Sequence, residues 1–369
     1  MSSLERELVA FAQHLVATPS LPGEEREAAA LVATKLVDLG YRDVSVDELS
    51  NVVGYFGPGR PRLMFNGHLD HVPPAGMKDP YGAEVVDGHL RGRGTVDMKA
   101  NVAAGAFAAA FLDAPLRCAY IFTADVREEV DGPEGIPALL AQGLRAEYGV
   151  SGEATSLDVA LGHRGKIQFD VTVAGRSSHA ATPADGENAV YGALPFLAAL
   201  EQEGRRLPSD PLLGKATLTV TGIASTPTGG VAVIPSSCTI RVDRRYVRGE
   251  TPDSCRIAIE ELIASVAAEH GARANVDLVN VYPLMMTEPD HPLVSAASAA
   301  VEEATGNRPA LTAWKFGVNA TFMNAAGIPS VGIGAGDERL AHTPDERVPI
   351  EAIVQASRAY ALLIKRLCT

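Results

Sequence analysis

"CAYIFTADVREE", residues 118–129, runs from an apolar stretch directly into an arginine and two adjacent carboxylates, Glu128 and Glu129. The run "CAYIFTA" has the length and composition of a buried strand. Charged residues just beyond such a strand lie where open α/β sheets place their sites. Neighbouring side chains on extended backbone point to opposite sides. Glu128 and Glu129 are therefore expected to be aimed differently from one strand end.

Working outward, "NVVGYF" (51–56), "RLMFNGH" (62–68) and "EYGVSGE" (147–153) are further short apolar runs. Between them lies the Ala-rich segment "KANVAAGAFAAAFL" (99–112), which reads as a buried helix. The opening segment carries Leu4, Leu8, Phe11 and Leu15 on one helical face, and residues 24–39 form a second helix ending at Gly40. Strands alternating with helices predict an α/β sheet with mostly parallel strands. The pattern resumes over 291–367, with "PSVGIGAG" (329–336) as a strand and "EAIVQASRAYALLIKRL" (351–367) as the closing helix.

The middle of the chain differs. "GKIQFDVTVAG" (165–175) alternates apolar and polar residues, as a half-exposed strand does. A helix near 187–204, strands near 215–224 and 236–246, a helix at 252–269 and a strand at 273–281 follow. This β-α-β-β-α-β order is ferredoxin-like. It predicts a domain over 166–282 inserted into an α/β domain made of 1–165 and 283–369. A chain of 369 residues also exceeds one comfortable core, which makes two domains the default.

The formal charge of −13, with no lysine or arginine block, argues against nucleic acid or anionic membrane as a partner. No apolar run reaches the roughly 18 residues of a membrane span, and the N-terminal segment is an amphipathic helix rather than a signal. Cys118, Cys238, Cys255 and Cys368 are far apart and form no C-x-x-C pair. They are expected to be reduced, mostly buried thiols. The expectation is a soluble cytoplasmic protein.

Five segments deliver an imidazole or carboxylate at a strand end or just before a helix: His68 with Asp70, Asp97, Glu128 with Glu129, Glu153, and His342 in "GAGDERLAHTPDE". Histidine with Asp or Glu and no cysteine suits zinc, manganese or cobalt at a hydrolytic site. A two-metal site needs about three ligands per ion with one carboxylate shared, and His68, Asp97, Glu129, Glu153 and His342 supply that set. Asp70 could then orient the His68 imidazole, and Glu128 could take a proton from water. Each residue alone has a plainer reading: a hydrogen-bonded core histidine, a solvated acidic pair, a helix cap, a loop histidine. Their joint occurrence, with Gly67, Gly92 and Gly94 nearby, favours the metal site.

"FNGHLDHVPP", "GRGTVDMKAN", "ADVREEVDGPEG", "SGEAT", "GRSSHAATPADGENAV" and "AHTPDE" resemble, in order and over nearly the whole chain, the motifs of the dinuclear zinc aminoacylase/carboxypeptidase family. That family includes acetylornithine deacetylase, succinyl-diaminopimelate desuccinylase and glutamate carboxypeptidase. The resemblance implies a zinc-exopeptidase-like catalytic domain with an inserted dimerisation domain. It implies His68, Asp97 and Glu153 on one metal, Asp97, Glu129 and His342 on the other, and Glu128 as general base. It further implies two divalent ions, zinc foremost with cobalt or manganese as alternatives, and a homodimer in which His179 reaches the partner's site. Arg245 in "RVDRR" becomes a substrate-carboxylate clamp, a task that suits an arginine fork.

Two positions depart from the family pattern. Ala232 stands where an asparagine is usual, and Asn319, near the substrate, stands roughly where an aspartate is. Glu at position 153 resembles deacylases and carboxypeptidases, whereas aminopeptidases and many dipeptidases have Asp there. The implied activity is hydrolysis of an N-acylated amino acid. A dipeptidase or carboxypeptidase of the same family is the alternative within this chemistry, and a non-catalytic metabolite-binding descendant is the alternative outside it.

Overall fold

The computed structural model describes residues 1–229 and 231–369. They form two compact units, one of Met1–Gly162, Met285–Trp314 and Val318–Thr369, the other of His163–Leu284 with Lys315–Gly317.

The first unit is built on a mixed sheet. Its central strands are Ala119–Asp125, Pro61–His68, Tyr148–Ser151 and Ser330–Gly332, in that order and mutually parallel. Strands Val52–Phe56 and Arg42–Val46 extend one side antiparallel, and Val159–His163 pairs antiparallel with Ser330–Gly332 on the other. The parallel strands are buried on both faces, which explains their continuous apolar runs. Register sets His68 opposite Asp125 and Asn66 opposite Ser151, so the carboxyl ends of the strands finish at one level.

Phe65 lies at the centre of this core. Its ring stacks on Phe122 at 5.4 Å between centroids and meets Tyr360 of helix Ile350–Cys368 edge-on at 5.2 Å. A Cβ at Gly105 would fall 2.6 Å from this ring, and one at Gly152 2.8 Å. Those two positions must be glycine for the helix Ala100–Phe107 and the Glu153 loop to close over the phenylalanine.

The second unit is a four-stranded antiparallel sheet in the order Thr217–Thr226, Ser237–Tyr246, Gly165–Ala174, Arg273–Tyr282, with helices Ala189–Arg206 and Pro252–His270. This is the ferredoxin-like arrangement expected from its element order. Alternation places Ile167, Phe169, Val171 and Val173 in a core with Cys238, Ile240, Val242, Phe196, Leu200, Ile259 and Ile263. Gln168, Asp170 and Thr172 face the other way and pair with Asp243, Arg241 and Thr239.

Two expectations are corrected. Cys118 and Cys368 are not free thiols but a disulfide that ties the last helix to the start of strand Ala119–Asp125. A separation of 250 residues hid that pairing; Cys238 and Cys255 are the buried free thiols. The strand ends at Asp125, and after Arg127 in the left-handed region (φ 57°) Glu128–Val130 form a tight 3₁₀ turn. The two glutamates therefore diverge because of a turn and not because of strand pleating.

Replacing Phe65 with alanine should lower unfolding stability by about 3–5 kcal/mol, since the surrounding rings and glycines cannot collapse into the space. Urea denaturation followed by circular dichroism measures it.

Candidate metal centre

Each candidate ligand hangs from a fixed backbone position beyond the parallel strands. His68 ends its strand, Glu153 follows Tyr148–Ser151 by two residues, and Asp97 sits in the turn Thr95–Lys99 before the helix Ala100–Phe107. Glu129 lies in the 3₁₀ turn, and His342, at φ 61°, lies in the loop after Ser330–Gly332. The structure brings all five together. His68 Nε2 is 2.8 Å from Asp97 Oδ1 and 3.4 Å from Glu153 Oε1. His342 Nε2 is 3.0 Å from both Asp97 Oδ2 and Glu129 Oε2.

Two groups of three donors result, His68–Asp97–Glu153 and Asp97–Glu129–His342, with the ligand atoms of each group within 4.8 Å of one another. Asp97 belongs to both and turns one carboxylate oxygen to each histidine. Imidazole and carboxylate donors at these separations fit two divalent cations bridged by one carboxylate.

The electrostatics among these side chains point the same way. Burial opposes protonation of His68, but Asp70, Asp97 and Glu153 outweigh it and raise its pKa well above the ordinary value. Hydrogen bonds to Asp97 and Glu129 push His342 up to about 10. Burial and the charge of Asp97 push Glu153 up to about 7. Glu129 is likewise raised by burial and by Asp97. Asp97 is the exception: despite its burial, the two histidines hold it below the ordinary carboxylate range, so the cluster joins one firm anion to acids that ionise reluctantly.

Asp70 faces both His68 and the turn that follows Arg127. The His68 Nδ1 atom lies 3.0 Å from the Asp70 backbone carbonyl and 3.4 Å from its carboxylate. The main-chain oxygen is thus the nearer partner of the imidazole. The Asp70 carboxylate accepts the backbone N–H groups of Glu128 and Glu129, at 3.1 and 3.0 Å, and so fixes the turn that aims both glutamates.

Glu128 is half-buried, and its carboxylate makes no hydrogen bond or ion pair among the described residues. Burial raises its pKa well above the ordinary value, and although His68 opposes this, the charges of Glu153, Glu129 and Asp97 add to it.

The remaining sequence candidates are placed elsewhere. Asn319 is buried and donates its amide to Asp125 Oδ2 at 2.7 Å. Arg245, in the second unit, is held by Asp243 through two hydrogen bonds at 2.7 and 3.2 Å. His179, also in the second unit, is exposed, and its Nδ1 accepts from the Ala181 N–H.

Three buried groups had escaped the sequence reading. Lys99 donates to the Thr18 carbonyl at 2.6 Å, and burial lowers its pKa to about 7 against the pull of Asp70 and Glu346. Asp125 is raised to about 7 by burial, accepting from Ile136 N and Asn319. His71 accepts from Ser20 N through Nε2 at 3.0 Å and has Nδ1 2.8 Å from the Val72 carbonyl. The signal for Lys99 was available: a cation two residues from Asp97 in an otherwise apolar segment.

With this geometry in place, similarity to known proteins gains meaning. Residues 64–366 match peptidase family M20/M25/M40. The chain belongs to this family. It is 31% identical to the uncharacterized protein YgeY of Escherichia coli K12, over 97% of this chain and 94% of the other. It is 33% identical to the succinyl-diaminopimelate desuccinylase of Phenylobacterium zucineum, over 97% of each chain. Its fold superposes with a TM-score of 0.77, at 17% identity and 99% coverage of both chains, on the Bacillus subtilis YXEP protein, a dinuclear metal binding peptidase from the same family. As an M20 protein, the chain is a metal-dependent amidohydrolase. Among the described residues no helix is long and apolar enough to cross a membrane.

Burial, with the nearby Lys99 charge, pushes His71 down to about 4. Its folded pKa lies below that of an exposed histidine, so its contribution to stability is complete above about pH 6.5 and is lost as the pH falls toward 4. NMR of the ring nitrogens should show a neutral, Nδ1-protonated His71 that does not titrate between about pH 5 and 8.

Proposed function

We propose that this chain hydrolyses the amide bond of an N-acylated amino acid, using two divalent ions held by His68, Asp97 and Glu153 on one side and Asp97, Glu129 and His342 on the other. The observation that carries the reading is the pair of three-donor groups sharing Asp97 beside Glu128, whose carboxylate no neighbour occupies. When bound, the ions, zinc foremost with cobalt or manganese as alternatives, act as Lewis acids toward water and the scissile carbonyl.

The protein's own groups do the rest. Asp70 holds the Glu128–Glu129 turn, so one carboxylate faces the metal pair while its neighbour stays available for proton transfer. Glu128 takes the proton of the attacking water and returns it to the departing amine. A raised pKa suits both halves of that task. Asp97, hydrogen-bonded by both histidines, is held well below the ordinary carboxylate range despite its burial, and so stays an anion between the two positions.

Similarity to a desuccinylase supports an acyl group and an amino acid that carry carboxylates, and Glu at position 153 favours the same class. Arg245 would clamp such a carboxylate by exchanging its bonds to Asp243 for bonds to substrate. His179 would stabilise the oxyanion in the site of a second copy. A homodimer through the second unit is supported by exposed Tyr191 and Leu194 on helix Ala189–Arg206 and by Ile223 on an edge strand. The cytoplasm is the proposed location on the similarity to a desuccinylase, and the Cys118–Cys368 disulfide weighs against it.

The test is a panel of N-succinyl, N-acetyl and dipeptide substrates run on zinc-, cobalt- and manganese-loaded protein. Turnover of dipeptides alone would replace the deacylase reading with a dipeptidase. Absence of bound divalent ions after purification and reloading would favour a binding protein instead. Within the deacylase reading, Glu128→Ala should retain both ions and lose about 10²–10⁴-fold in kcat. Glu129→Ala should lose metal, measured by inductively coupled plasma mass spectrometry. Wild-type turnover in Glu128→Ala would sink the proposal.

A further inference from the structure

We infer that Glu346 is the positioning residue for the shared carboxylate Asp97, an inference that rests on the two-metal reading above. Glu346 follows His342 by four residues and is 1% exposed. Its carboxylate collects four donors. Oε1 accepts the backbone N–H groups of Val96 at 2.9 Å and Asp97 at 3.2 Å. Oε2 accepts Gly94 N at 3.2 Å and Arg93 Nη1 at 2.5 Å.

These bonds set the path of the chain into Asp97. Gly94 stands at φ 82°, which lets the N–H groups on either side of Thr95 converge on one anion, as in backbone anion nests. Arg93 is itself 1% exposed and tethered, its Nη2 to the Pro74 carbonyl at 3.2 Å and its backbone N to Pro80 at 2.7 Å. The backbone is joined too, with Gly92 N donating to the Glu346 carbonyl at 3.4 Å. Strand Arg347–Pro349 then pairs with His89–Arg91, so both ends of the turn are held to the segment that carries His342.

The geometric demand on Asp97 explains why such a device would be useful. A bridging carboxylate must present Oδ1 to one donor group and Oδ2 to the other, which a loose turn cannot sustain. A buried carboxylate is costly unless every lone pair is met. Here Glu346 meets three amides of one turn and a guanidinium, and one of those amides is that of Asp97. Glu346 touches no candidate ligand atom; it acts through the backbone of Asp97.

The experiment compares Glu346→Gln and Glu346→Asp with wild type and with Asp97→Ala. Zinc stoichiometry is measured by mass spectrometry and zinc affinity by competition with a chromogenic chelator, both on protein shown to be folded by circular dichroism. Glutamine turns an N–H₂ group toward donors, and aspartate is too short to span from Gly94 N to Asp97 N. Glu346→Gln should weaken zinc binding by about 10–100-fold, and Glu346→Asp should also weaken it, by less. Both ions should be affected because Asp97 is shared. A purely structural role would instead lower the thermal midpoint and leave the zinc affinity of the folded protein unchanged, and that result overturns the inference. If Glu346→Gln does not fold, Glu346→Asp decides by the same readout. Retention of both ions by Asp97→Ala would mean that the two-metal reading itself has failed. Loss there with wild-type affinity in the Glu346 variants removes only the role of Glu346.

Discussion

Four carboxylates, those of Asp97, Glu128, Glu129 and Glu153, crowd against two histidines at the ends of the parallel strands, and the rest of the first unit is arranged around that repulsion. Two unit charges about 4 Å apart repel by roughly 4 kcal/mol at an effective dielectric of about 20. A cleft holding several such pairs is unstable unless cations enter it or its acids keep their protons. The raised pKa values of Glu128, Glu129 and Glu153 show the second outcome among the protein's own groups. Divalent ions supply the first.

Three further carboxylates accept N–H groups from the turns and strands around this cluster. Asp70 takes two backbone N–H groups of the turn that bears Glu128 and Glu129. Glu346 takes three from the turn that bears Asp97 and is paired with buried Arg93. Asp125, one strand over from His68, takes Ile136 N and the Asn319 amide. The division is chemical. Asp70 and Glu346 are each met by several N–H groups, Asp125 through one oxygen alone, and the Glu128 carboxylate by none among the described residues. Deep burial alone therefore does not mark a residue as reactive; the partners of its oxygens decide.

Much of this was legible in the residue order. The apolar runs ending in His68, Glu153 and the Glu128–Glu129 pair had the length of buried parallel strands, and the alternation of "GKIQFDVTVAG" marked a half-exposed one. Less was legible where local signals compete with distant ones. The strand Ala119–Asp125 stops before its charges because Arg127 enters the left-handed region, a choice supported by the Asp70 carboxylate 58 positions away from Glu128. Nothing local to Asn319 indicated that its amide would meet Asp125, 194 positions away. Cys118 and Cys368 looked like isolated thiols because nothing local relates residues 250 apart.

The sequence by itself determined which residue types stand at the strand ends, because burial periodicity and turn residues are local properties. Only the tertiary structure decided which carboxylates would be anchored and which left open. That Asp70 meets two amides as well as lying beside an imidazole, and that Glu346 meets the turn before Asp97, depends on strand register and on loops from opposite ends of the chain. Hydrogen-bond partners are fixed by position in space, and the order of residues specifies that position only through the whole fold.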